Sequence, residues 1–444
     1  MTIRIGSGAG FQGDRLEPAW ILAEKGGLDW LGLECLAERT IALAQLRKAK
    51  DPAKGYDPML ERRMEMLLPA AKRNGVRIVT NMGAANPIAA ADLIVAVARR
   101  KGLSIKVAAL TGDDVVGHVD GATRLLESDQ PMRFFGAPVS ANAYLGVEQM
   151  LPALESGADV IVTGRVADPS LFVAPIVHHY GLRLDDWTRL GRATAIGHLL
   201  ECAGQVTGGY FADPGRKDVP DPAFLGFPFA DVERDGNALL GKVDGTGGII
   251  NLLTCKEQLT YEVMDPAAYL TPDVTADFTS IRFRETGPSR IEVLGGGGRA
   301  RSGTLKVSIG YHAGYLGEGE ITYAGPNALA RARLAADIVR DRLKDGFPDL
   351  RIDLIGHTSL HGDAYCAGHD PYEIRVRAAA RAPTREQAER VGEDVETLFT
   401  NGPAGGGGAR KYVVEQIGIV STLLDRTLIR PEVTIRSTDE ARVR

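Results

Sequence analysis

Apolar and polar positions set out an alternation of strands and helices from the first residues. Ile3–Gly8 is a short apolar run with strand character, followed by a helical stretch that Pro18 opens and that runs through Glu24; proline is accepted in a first helical turn. Asp29–Glu34, Arg77–Asn81, Ser104–Leu110 and Asp159–Thr163 read as further strands. Thr40–Lys50, Asp57–Asn74, Ile88–Lys101 and Gly146–Gly157 carry helical spacing between them. This predicts an α/β fold with right-handed crossovers and a mainly parallel sheet. Doubly wound and barrel-like arrangements both satisfy it. In either, chemistry gathers in the loops after the strand C-termini, here Gly8–Asp14, Glu34–Glu38, Asn81–Asn86, Thr111–Asp114, Ser140–Tyr144 and Thr163–Asp168.

The pattern changes past the middle of the chain. A glycine- and arginine-rich stretch at Gly295–Gly303 precedes two strands, Thr304–Tyr311 and Glu318–Tyr323. A helix over Pro326–Lys344, strands Arg351–Ile355 and Tyr372–Ala379, and a helix over Thr384–Thr400 follow, Thr384 and Gln387 being placed as N-cap and capping-box residues. We therefore expect an α/β domain over 1–284 and a smaller α+β domain over 285–444.

Composition narrows the function. With 444 residues, 44% hydrophobic and 25% charged, the chain is an ordinary globular one. A net charge of −5 gives no electrostatic reason to expect nucleic acid or an anionic membrane. No apolar run reaches the roughly 18 residues of a membrane span, and no basic, apolar leader opens the chain. Its four cysteines, Cys35, Cys202, Cys255 and Cys366, form no CxxC pair. A cytoplasmic protein without a cysteine-based metal site is expected.

Several segments carry candidate chemistry. Gly8-Ala9-Gly10-Phe11-Gln12-Gly13 fits G-x-G-x-x-G after a strand, with Glu34 at the end of the next. That pattern binds a dinucleotide when the third glycine lies inside the helix; Pro18 places the helix start later, so a tight loop is the plainer reading. Arg165 and Asp168, in Thr163-Gly164-Arg165-Val166-Ala167-Asp168, follow a buried strand and suit carboxylate binding and proton handling, or brace the loop as an ion pair. Asp113 and Asp114 end another strand and suit acid and base roles, a divalent cation or helix capping. The Asn81 amide can both donate to and accept from a polar substrate group. His198 and Glu201, three apart on a helix, share a face as base and orienting partner. Backbone amides of Thr246-Gly247-Gly248, and of Gly405–Gly408 beside Arg410, can cradle an oxyanion or phosphate. Among the remaining histidines, His357 and His361 stand at i, i+4 with Asp363 close by, but no H-E-x-x-H occurs.

Taken together, Gly6-Ser7-Gly8-Ala9-Gly10, Thr163–Asp168, Gly197-His198-Leu199-Leu200-Glu201-Cys202, Gly204–Gly209, Thr246–Gly248 and Tyr261–Val274 resemble the acyclic terpene utilisation (AtuA) family over essentially the whole chain. The resemblance implies bacterial breakdown of citronellol and geraniol through acyl-CoA intermediates. It also implies the shorter family type, which works with a separate small partner protein. It carries over no catalytic residues. We expect a lyase or hydratase acting on a carboxylate or acyl-CoA, with Asp168, His198, Glu201 and Asp113 moving protons. Ser7, Gly8, Gly10, Glu34, Asn81, Arg165, Thr246, Gly247, Gly248 and Arg410 would bind substrate. No metal ligands are expected, the sequence leaves the cofactor open with CoA entering as part of the substrate, and a homo-oligomer is the expected assembly. An accessory acyl-CoA-binding subunit and a nucleotide-dependent oxidoreductase are the alternatives.

Overall fold

The computed structural model describes residues 2–366 and 368–439. Contacts divide the chain into two compact units: one of residues 1–134, 138–310 and 419–444, the other of 135–137 and 311–418. The first is a mixed α/β unit. Its strands β1 (Ile3–Ala9), β2 (Trp30–Leu33), β3 (Arg77–Thr80) and β4 (Lys106–Thr111) are joined through helices α1 (Glu17–Lys25), α2 (Glu38–Lys50), α3 (Leu60–Asn74) and α4 (Pro87–Arg100). Next come β5 (Pro138–Ala143), α5 (Val147–Glu155), β6 (Val160–Thr163), α6 (Ser170–Tyr180) and α7 (Trp187–Glu201). Parallel pairing orders five of these strands β1-β2-β3-β6-β4.

Antiparallel strands extend this parallel centre on both sides. β7 (Pro228–Val232) and β8 (Ala238–Lys242) lie beyond β1. After helix α8 (Leu252–Thr260) and the short strands β9 (Tyr269–Leu270) and β10 (Thr275–Asp277), a hairpin of β11 (Arg282–Gly287) and β12 (Arg290–Leu294) joins that edge through β8. β13 (Gly297–Arg299) pairs with β10 in a separate three-stranded sheet.

The parallel strands are short and buried because helices cover both faces. Leu31, Leu33, Ile78, Val107, Ala109, Val160 and Val162 pack under α1, α3 and α4. On the opposite side the Phe172 ring of α6 lies against Gly32, and α5 and α7 also meet the sheet. Period-2 alternation thus sends apolar groups into two cores.

The second unit is built on β14 (Thr304–Ala324), which belongs to it from Tyr311 onward. Helix α9 (Ala328–Leu343), β15 (Arg351–Ile355), β16 (Glu373–Ala382), α10 (Arg385–Glu396), a short α11 (Leu398–Asn401) and β17 (Gly407–Asp425) complete the order β15-β16-β14-β17. The two strands expected over Thr304–Tyr311 and Glu318–Tyr323 are one. The glycines between them mark close approach and not a break. A Cβ on Gly317 would come within 1.9 Å of the Ala388 carbonyl of α10. Thr384 caps α10 as expected, its hydroxyl accepting from the Gln387 amide at 3.3 Å. The final strand, β18 (Glu432–Ser437), belongs to the first unit and pairs antiparallel with β4.

Candidate functional site

The C-terminal ends of β2, β3, β4 and β6 bring Glu34, Asn81, Asp113 and Arg165 to one edge of the sheet of the first unit, where hydrogen bonds tie them together. Asn81 accepts from the Cys35 amide at 2.8 Å and donates to Glu34 Oε1 at 2.9 Å. The Leu36 amide donates to the same oxygen at 2.9 Å. Asp113 Oδ2 accepts from the Arg165 amide at 2.8 Å and from Asn142 at 2.9 Å. The Arg165 side chain, only 1% exposed, donates to the carbonyls of Leu36 and Val166 and to the Asp168 carboxylate. Its guanidinium also lies 4.4 Å from the centre of the Tyr144 ring. One buried cation therefore serves several carboxylates: its charge also acts on Glu34, Glu38 and Glu201.

Burial raises the carboxyls of Glu34 and Glu201, against the pull of these partners. It also raises Asp113, to about 6, against bonds from Arg165 and Asn142. A folded pKa above the unfolded one means stability that is full below the unfolded value of 3.8 and lost as pH rises through about 6. Two units correspond to about 3 kcal/mol at most. Unfolding midpoints of wild type and Asp113→Asn should therefore converge at about pH 4 and diverge in favour of the variant by about pH 7. Parallel pH curves would show that Asp113 does not titrate this way.

Beside this cluster the first unit holds a cleft of about 420 Å³, whose polar wall is Glu38, Tyr144, Asp168, Tyr269 and Lys306. Leu126, Leu270, Leu305 and Leu423 supply an apolar wall. Glu38 is the first residue of α2, where the helix N-terminus favours a carboxylate. Burial alone would raise it. The Tyr144 hydroxyl at 2.5 Å, the Glu38 backbone amide and the charges of Arg165 and Lys306 prevail and hold it at about 2. Burial pushes the Tyr144 phenol up to about 12, so it stays protonated. Lys306 projects from β14, whose neighbours Leu305 and Val307 are buried. Its ammonium lies 3.3 Å from Glu38 Oε1 and 5.0 Å from the Tyr144 ring centre, with 44% of the side chain exposed. Asp168 is 40% exposed.

His198 and Glu201 pair at 2.7 Å, as expected from their spacing. Neither lines the cleft. Tyr269, which does, packs on the His198 ring at 5.1 Å. The outer atoms of the pair, His198 Nε2 and Glu201 Oε2, are buried without a partner among the described residues.

A family model described as the acyclic terpene utilisation family protein AtuA matches residues 3–435. The chain belongs to the AtuA family. No curated protein and no solved structure matches it.

The geometry of this AtuA protein corrects several expectations. The Gly10 amide donates to Asp14 Oδ2 at 2.8 Å, which puts a carboxylate where a dinucleotide phosphate would need that amide. A Cβ on Gly10 would fall 2.4 Å from the Cys202 backbone, so the glycine serves helix packing. Gly8 packs on Leu33, Ala19 and Leu31 in the same way, and the Ser7 hydroxyl is buried beside it without a partner among the described residues. Glu34 and Asn81 satisfy each other and the loop amides and do not wait for a ligand. Arg165 is spent on fixed acceptors, so it organises acids and does not clamp a substrate carboxylate. The Gly247 and Gly248 amides donate to the carbonyls of Phe224 and Pro220, so that loop offers no oxyanion cradle. Arg410 is exposed on β17 in the second unit.

Glu38, Tyr144, Tyr269 and Lys306 line the cleft without having been singled out by the sequence. Glu38 and Tyr144 close two of the strand-end loops it singled out. Lys306, exposed between two buried apolar residues, follows ordinary strand alternation and carried no signal that set it apart.

No helix among the described residues is long and apolar enough to cross a membrane.

Proposed function

We propose that this AtuA-family chain is an acid–base enzyme of the lyase or hydratase type, acting on a branched carboxylate or its CoA thioester. The observation that carries this reading is a half-exposed cation and a half-exposed carboxylate on one cleft wall, each braced from behind. Lys306 is held by Glu38 at 3.3 Å, and Asp168 by the buried Arg165. An ammonium in that place neutralises a substrate carboxylate, or the charge that builds on a thioester oxygen as an enolate forms. The neighbouring carboxylate removes the proton from the adjoining carbon. The enolate then expels a group one carbon further on. In a dehydration that group is hydroxide, which takes up the proton Asp168 removed and leaves as water; in a cleavage Asp168 instead takes the proton of the hydroxyl on that carbon, the carbon–carbon bond breaks to release a carbonyl fragment, and the enolate left behind is reprotonated. The reverse sequence hydrates. The leucine wall suits a hydrocarbon tail such as an acyclic terpene acid carries.

Incubation in heavy water with CoA thioesters of acyclic terpene acids, and with the free acids, tests this. Mass spectrometry should find deuterium next to the carbonyl, and Asp168→Asn should slow its entry by about 10²-fold or more. Binding of a thioester with no exchange by the wild type would make the chain a carrier or accessory subunit and not an enzyme.

A further inference from the structure

Between β15 and β16 the second unit carries a loop, residues 356–372, whose described residues include no strand and a single short 3-10 turn, Gly362–Tyr365. A loop of this length needs something to fix it. Part of the answer is local. Thr358 and Gly362 donate to the carbonyls of Leu354 and Thr358, and the His369 amide donates to Cys366. Gly356, Gly362 and Gly368 turn the backbone with positive φ.

These turns bring three side chains of different chemistry together. A ring nitrogen of His357, a carboxylate oxygen of Asp363 and the sulfur of Cys366 all lie within 4.8 Å of one another. Zinc bonds of about 2.0–2.3 Å in a tetrahedron put such donors about 3.3–3.8 Å apart, a difference that rotamer adjustment covers. None of the three is otherwise well used. His357 Nδ1 is buried and has no hydrogen-bond partner among the described residues. The Cys366 thiol, 8% exposed, has only long contacts, 3.5 Å and 3.6 Å to the Asp363 and Gly362 carbonyls and 3.8 Å to Asp363 Oδ1.

We propose that His357, Asp363 and Cys366 form a binding site for a zinc-class divalent cation that fastens this loop. The donor set decides the class. Thiolate and imidazole select zinc and its transition-metal neighbours, whereas magnesium and calcium require oxygen ligands throughout. Binding replaces the thiol hydrogen with the metal and releases one proton to solvent. A thiolate and a carboxylate then balance the two charges of the cation, and the imidazole binds in its neutral form. Three protein ligands leave a fourth position for water.

Cobalt(II) is the probe, because a thiolate ligand gives it a charge-transfer band in the near ultraviolet. The full chain, reduced and stripped with a chelator, is titrated with cobalt and then with zinc. One equivalent of cobalt should produce the band, zinc should remove it and magnesium should not. Cys366→Ser should abolish the band, and His357→Ala and Asp363→Asn should each weaken zinc binding by about tenfold or more. A band that is missing in the wild type, or that persists in Cys366→Ser, overturns the proposal. A second measurement needs no variant. Zinc should protect Cys366 from alkylation as mapped by peptide mass, and equal rates with and without zinc would equally overturn the site.

Discussion

Arg165→Met is expected to destabilise the first unit by about 3–5 kcal/mol, read as a lower first transition in calorimetry. The methionine stem fills much of the same space, so the loss comes from charge and hydrogen bonds. The carbonyls of Leu36 and Val166 lose their donor, and the buried acids Glu34 and Glu201 lose the cation that acts on both. Arg165→Lys should recover only part of the loss, because an ammonium cannot span acceptors on three residues with a planar fork. A loss below about 1 kcal/mol for the methionine variant would mean that the acids are held by other means.

Lys306→Met is expected to do the reverse, sparing stability and removing activity. Its side chain is 44% exposed and its pairing with Glu38 lies at the surface, so the melting temperature should hardly move. If the ammonium stabilises an enolate, deuterium exchange should fall by about 10²–10³-fold. Exchange within about threefold of wild type would remove Lys306 from the chemistry, leaving the cleft without its only proposed electrophile.

The parallel strands were legible because each is a short apolar run ending in small and polar residues, so the loops holding Glu34, Asn81, Asp113 and Arg165 could be placed at one sheet edge. Antiparallel β15 and β16 of the second unit were legible too, but the antiparallel strands that flank the parallel centre of the first unit were not. β11 carries a single large apolar side chain, Phe283, and β14 contains glycines that local reasoning takes for breaks. Those glycines report packing between elements far apart in sequence, which no local window contains. The same limit applies to the site. Arg165 and Asp168 were identifiable as a pair. That the arginine would be consumed by carbonyls, and that Lys306 from 138 residues further along would take the exposed place, depends on tertiary contact. The Thr246–Gly248 cradle failed for a related reason: a glycine-rich loop supplies free amides only if no carbonyl reaches them first.

The last strand of the first unit also bears on how the chain matures. β18 covers the outer side of β4, yet it is synthesised only after the whole of the second unit. Until then the backbone amides and carbonyls along β4 face outward as an open template for another chain. Nascent protein thus passes through a period in which its largest sheet is assembled but unsealed. Premature termination beyond residue 418 but before Glu432 would make that vulnerable state permanent.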